Sequence, residues 1–375
     1  MSPMNNRAIL ELDAFGQSVW LDDISRAMIK SGRLKTLIDL GLRGMTSNPT
    51  IFEKAVASGG DYDEQIRDLG RDKRPAFEIY DALTIADVQE AADVFRPVYK
   101  ETGGLDGFVS LEISPKLAGD AAKTVAEGLR LCRKVARPNV MFKVPATGPG
   151  LKAVEQLTAA GVNVNITLIF SVRQYHESAL AYLRGVRSLL LSNGDPRMVR
   201  SVASVFVSRI DTVIDGLLEA LIAGEPDPAR RNLAGSLKGK AAVANAQLCY
   251  ADYLGIFASE GFRELQKKGA NVQRLLWGST STKNPAYSDL KYVSELIGRG
   301  TVNTMPEKTL FAFLDHGRVA ESLPAYASRA QEVLGALEGL GILIEMVCAR
   351  LLDDGVKAFD KSLDARAGPG RDSGR

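Results

Sequence analysis

Two histidines, His176 and His316, and three cysteines, Cys132, Cys249 and Cys348, are all that 375 residues supply of these types. The histidines lie far apart, and no Cys/His cluster or C-x-x-C pair occurs, so a histidine-based hydrolase or a zinc centre is poorly supplied. An odd, scattered set of cysteines in helix-like segments reads as reduced core thiols, not a disulfide framework. No apolar run reaches the roughly eighteen residues of a membrane span. The start MSPMNNRAILELDAFG lacks the basic-then-apolar form of a secretory signal, so a cytoplasmic protein is expected. Neither sign of charge is in excess: 47 basic residues face 45 acidic ones, which argues against a nucleic-acid binder with a broad basic face.

What the chain does have is alternation. Eight short β-like runs are predicted at 17–22, 43–47, 106–114, 140–144, 162–170, 201–208, 272–279 and 301–305. Most are continuously apolar, which suits strands of a parallel sheet covered on both faces. Between them lie helix-period stripes, one over 84–98 with Thr84 as its N-cap and one over 120–137. Ser171 and Gln174 form a capping-box pair that opens a helix running to Asn193–Gly194. Strand–helix repetition on this scale points to a closed (β/α)₈ barrel ahead of a doubly wound sheet, although pattern alone does not decide between them.

Residues 211–270 hold no strand. They read as a helical insert after the sixth strand, with two helical segments split by AGEPDPARRN. More helices are expected after 306. The expected organisation is one domain over 1–365 and a frayed tail at 366–375.

The chemistry starts with NVMFKVPATGPG (139–150), where Lys143 sits inside an apolar run. An ammonium desolvated without a partner tends to lose its proton and become a nucleophile. Barrel enzymes collect their working residues at the C-terminal ends of the strands. Reading those ends yields Asp22, Asn48, Glu112, Lys143, Asn165 with Thr167, Ser204 with Arg209, and Ser281 with Lys283. A lysine, two carboxylates, amides, hydroxyls and two further cations suit carbonyl chemistry on a polyhydroxylated anion. Asp22 can take a proton from a hydroxyl on the departing carbon. Glu112 can work through a water held by Thr167, and Arg209 and Lys283 can hold a phosphate.

Each residue also has a plain structural reading. Lys143 could snorkel to the surface, and Asp22 or Asp23 could cap the helix that follows. Asn48–Pro49 is a common helix entry, and Arg209 and Asp211 could form an ion pair at a helix start. The weight lies in the joint occurrence of these residues at successive strand ends.

The same residues lie in strings that resemble transaldolase: LRGMTSNPTIFEKA (42–55), VSLEIS (109–114), MFKVPAT (141–147), VNVNITLIFS (162–171) and ASVFVSRIDT (203–212). LKGKAAVANAQLCY (237–250), LLWGSTSTKNPAYSD (275–289) and TVNTMPEKTL (301–310) resemble the longer bacterial and plant-type members. The matches run in order from about residue 8 to 365. The resemblance implies a class I (β/α)₈ barrel without metal or organic cofactor, a monomer or homodimer. It would move a dihydroxyacetone unit from sedoheptulose 7-phosphate to glyceraldehyde 3-phosphate. By the same resemblance Lys143 carries the Schiff base, Asp22 is the acid–base group for bond cleavage, and Glu112 with Thr167 positions a water. Asn48, Asn165 and Ser204 would bind the three-carbon unit, Arg209 phosphate, and Lys283 beside Ser281 the family's second phosphate position, usually an arginine. The alternatives are a fructose 6-phosphate aldolase or another Schiff-base aldolase, typically shorter chains, and a non-catalytic sugar-phosphate-binding barrel.

Overall fold

The computed structural model describes residues 7–47, 49–57, 60–323 and 327–364. The expected tail at 366–375 lies outside these. Eight strands are present: β1 (Gln17–Asp22), β2 (Gly44–Thr46), β3 (Phe108–Glu112), β4 (Val140–Pro145), β5 (Val164–Ile169), β6 (Ser201–Phe206), β7 (Gln273–Gly278) and β8 (Thr301–Met305). They pair in parallel in sequence order, and β8 closes on β1, so the doubly wound alternative falls and the architecture is the (β/α)₈ barrel.

Period-two alternation along these strands builds the floor of the site. Trp20, Phe108, Met141, Val202, Leu276 and Val302 pack together as an apolar layer inside the barrel. Two residues further along each strand stand Asp22, Ser110, Lys143, Ser204, Gly278 and Thr304, on the same inward side and one layer nearer the C-terminal mouth. Gly44 leaves room for this floor, since a Cβ there would lie 2.5 Å from the Trp20 indole. At the opposite end Arg274 closes the barrel through Asp106 at 3.1 Å and the Ser18 hydroxyl at 2.7 Å.

The helices depart from expectation in two places. Thr84 is not an N-cap; it lies within the helix Ala76–Val94 and donates to the Tyr80 carbonyl at 3.0 Å. That helix starts after Pro75, a turn and more before its apolar stripe becomes regular. The insert holds four helices rather than two: Ser208–Gly224, Pro228–Leu237, Ala241–Ala258 and Glu260–Lys267. The expected ten-residue break shrinks to three residues, because Asp227 accepts from the Ala229 N–H and Pro228 begins the next helix. The capping box of Ser171 and Gln174 forms as read. Three helices, Glu307–His316, Ala327–Gly339 and Ile344–Asp364, follow β8. The last packs across the mouth against β5 and the helix Pro49–Ala57, and Cys348 donates to the Phe170 carbonyl.

Candidate active site

A cavity of about 430 Å³ opens at the C-terminal mouth. Among its lining residues are Asp22, Thr46, Lys143, Thr167, Ser204, Phe206, Arg209, Ser281, Lys283 and Thr304, so most of the residues read from strand ends do converge. Glu112 and Asn165 stand just behind this lining. Asn48 lies outside the described residues.

Lys143 is buried rather than snorkelled. Registry places it opposite Glu112 on β3 and Asn165 on β5. The expectation of an ammonium without a partner does not hold. Its Nζ donates to the Ser47 carbonyl at 2.9 Å and stands 2.8 Å from Glu112 Oε2. The aligned hydrogen bond is the one to Ser47, and the contact to Glu112 is an ion pair. Burial pushes the Glu112 carboxyl above its usual range, and neighbouring Lys143 only partly offsets that.

Asp22 rather than Asp23 lines the cavity. Neither caps the next helix, because Ser25 takes that position and accepts from Met28 N–H. Asp22 Oδ1 accepts from the Thr46 hydroxyl at 2.9 Å, and Thr46 meets the Thr304 hydroxyl at 2.8 Å. Low-dielectric surroundings raise the Asp22 carboxyl above its ordinary value, against the pull of Lys143, the Thr46 bond, Arg209 and Lys283.

The amide of Asn165 is fixed from both sides. Its Nδ2 donates to Ser110 Oγ at 3.0 Å and its Oδ1 accepts from Ser204 Oγ at 2.6 Å, leaving one amide hydrogen to donate elsewhere. Thr167 lines the cavity, and its Oγ1 is buried with no hydrogen-bond partner among the described residues. The next residue, Leu168, has φ +58°, and the β5–β6 registry shifts there. The strand is bulged where it carries this hydroxyl.

Arg209 does not pair with Asp211, which turns away to Tyr292 and the Ala242 N–H. Its guanidinium lies 5.3 Å from the Phe206 ring centroid, and among the described residues it has no hydrogen bond or ion pair. Lys283 is exposed at the rim and donates to Ser281 Oγ at 2.8 Å. Arg209 and Lys283 both line the cavity, two cations of a kind able to attract an anion. Among the described residues no group of three or more His, Cys, Asp or Glu is placed to hold a metal ion.

The family model described as Transaldolase/Fructose-6-phosphate aldolase matches residues 19–368. The chain belongs to the transaldolase/fructose-6-phosphate aldolase family. It is 43% identical over 356 residues to a transaldolase of Trichodesmium erythraeum, covering 94% of each chain. It is 46% identical over 359 residues to one of Saccharopolyspora erythraea, covering 95% of each. A transaldolase of Frankia alni is 46% identical over 354 residues, with 94% of this chain and 93% of the relative covered.

Within this family site, several side chains escaped reading by strand ends. Thr46, Ser110 and Thr304 touch the site residues yet read as ordinary strand hydroxyls. The signal for Ser110 and Thr304 was present: each lies two residues from a floor residue in the same strand. Ser47 contributes through its carbonyl, which no side-chain pattern reveals.

Proposed function

We propose that this chain is a transaldolase in which Lys143 forms the covalent intermediate, carrying a dihydroxyacetone unit from sedoheptulose 7-phosphate to glyceraldehyde 3-phosphate. The observation that carries the reading is a buried lysine at the barrel mouth, 2.8 Å from one carboxylate and sharing a cavity with a second. Full-length similarity to proteins named transaldolase supports transfer over simple aldol cleavage. We read residues 1–365 as one catalytic unit, insert included.

In this mechanism Glu112 accepts a proton from the Lys143 ammonium, and the free amine attacks C2 of the ketose. Protonation of the carbinolamine hydroxyl expels water and leaves a protonated imine. Asp22 then takes the C4 hydroxyl proton, the C3–C4 electron pair moves toward the iminium nitrogen, and erythrose 4-phosphate departs as an aldehyde. The bound enamine attacks glyceraldehyde 3-phosphate, whose new alkoxide recovers the proton from Asp22. Water held by Thr167 and Glu112 hydrolyses the imine and releases fructose 6-phosphate. Asn165, Ser204 and Asn48 hold the hydroxyls of the three-carbon unit. Arg209, Ser281 and Lys283 hold the phosphate.

Borohydride reduction with fructose 6-phosphate tests this. A three-carbon adduct should appear on the peptide bearing Lys143 by mass spectrometry, and product analysis should show turnover only when an acceptor aldehyde is present. An adduct on another lysine would overturn the assignment. Free dihydroxyacetone released at full rate without acceptor would favour an aldolase.

A further inference from the structure

The helical insert and the motif LKGKAAVANAQLCY have no part in the chemistry above, yet they meet the site at one place. The helix Ser208–Gly224 carries Arg209 in its first turn and Asp211 and Asp215 one turn apart on one face. Both carboxylates are buried, and all four of their oxygens are engaged. Asp211 accepts from the Ala242 N–H at 2.8 Å and the Tyr292 hydroxyl at 2.8 Å. Asp215 accepts from the Gly239 N–H at 2.8 Å and the Tyr287 hydroxyl at 2.7 Å. Gly239 is itself constrained: its φ is +69°, and a Cβ there would lie 2.7 Å from Tyr287 Cζ. The Gly239–Ala242 turn is thus the base on which both carboxylates rest.

Tyr287 belongs to the loop that carries Ser281 and Lys283, and Tyr292 to the short helix Lys291–Ser294 that follows it. Residues 279–290 form neither helix nor strand, so tertiary bonds decide where this segment sits. A cavity of about 230 Å³ lined by Asp211, Asp215, Lys283, Tyr287 and Tyr292 lies beside these bonds.

We propose that Asp211 and Asp215 are positioning residues, a two-point clamp that sets the distance between Arg209 on the helix and Lys283 on the loop. The insert supplies the backbone N–H groups that hold the clamp. This rests on the reading of Arg209 and Lys283 as phosphate ligands. On that basis the clamp determines the preference for phosphorylated over unphosphorylated acceptors without touching substrate.

The test compares kcat/KM for glyceraldehyde 3-phosphate with that for glyceraldehyde in the full-length wild type, Tyr287→Phe, Tyr292→Phe and Arg209→Ala. Each phenol variant should lower the ratio about tenfold through KM for the phosphorylated acceptor, with glyceraldehyde turnover and Lys143 trapping held near wild type. An unchanged ratio in both phenol variants, with the ratio lowered in Arg209→Ala, would overturn the clamp and leave the phosphate site standing. An unchanged ratio in Arg209→Ala would overturn the phosphate reading itself. Loss of the folded state in both phenol variants, seen by circular dichroism, would overturn the positioning role in favour of a structural one.

Discussion

Lys143 Nζ and Glu112 Oε2 stand 2.8 Å apart at the ends of adjacent strands, with only 6% and 9% of their side chains exposed. Strand registry sets this distance, since Glu112 pairs directly with Lys143. A carboxyl raised by burial beside a buried amine is a ready acceptor for that amine's proton. The Ser47 carbonyl accepts from the same nitrogen and helps hold it in place.

Glu112→Gln keeps the size of the side chain and removes the acceptor. We expect kcat to fall by roughly 10²–10⁴, with the borohydride-trapped adduct forming more slowly in proportion. Because the role proposed for Glu112 needs the carboxylate and burial raises its value, wild-type activity should decline on acidification earlier than an ordinary glutamate dictates. In the variant the Glu112 contribution to that limb should be lost, leaving the one that Asp22 supplies. An adduct formed at the wild-type rate would remove Glu112 from proton transfer.

Thr46 donates to Asp22 Oδ1, a bond that favours the ionised carboxylate and so opposes the upward push of burial. Thr46→Val deletes the donor at nearly constant volume. The Asp22 value should rise further, moving the acid limb of kcat to higher pH while adduct formation at Lys143 proceeds normally. The pH–rate profile of the variant decides the matter, and an unmoved acid limb would show that Thr46 does not tune Asp22.

The eight strands were legible because most are short apolar runs between polar, helix-period segments, and a strand buried on both faces has few other patterns open to it. Many of the site residues followed as the last polar residues of the strands, although Thr46, Ser110 and Thr304 did not. What sequence could not show were relations across the barrel. Asp22 and Thr46 are near in sequence, but Thr304 joins them only because β8 closes on β1. Lys143 read as unpartnered because Glu112 is thirty-one residues away and the Ser47 acceptor is a carbonyl. Asp211 read as a local partner of Arg209, the simplest choice at a helix start. In the fold a phenol and an N–H from distant segments outcompete it.

Lys283 supplies charge without the planar fork of an arginine, and it sits at the exposed rim with Ser281 as its hydrogen-bond partner. Lys283→Ala should raise KM for glyceraldehyde 3-phosphate by about tenfold, in keeping with loss of one charge-assisted contact. Lys283→Arg should retain or tighten binding, since two parallel N–H groups can meet phosphate. Steady-state kinetics with phosphorylated and unphosphorylated acceptors reads both. Equal KM values in the alanine variant and the wild type would take Lys283 out of the site.

Asp211 offers a stability test independent of activity. Burial, its largest influence, raises this carboxyl from 3.8 to about 6 despite the bonds from Ala242 and Tyr292. Between those values the unfolded chain has released the proton that the native chain still holds, so unfolding liberates a proton and rising pH favours it. The wild type should therefore lose about 3 kcal/mol of stability from this group between pH 4 and 7, the product of the shift and 1.36 kcal/mol per unit. Asp211→Asn keeps an oxygen for the Ala242 N–H and offers an amide hydrogen to the Tyr292 oxygen, so the packing survives while the titration is gone. Urea unfolding of both proteins across that range should show the variant gaining on the wild type as pH rises. Parallel pH profiles for the two proteins would mean that Asp211 is ionised throughout and that its two donors outweigh its burial.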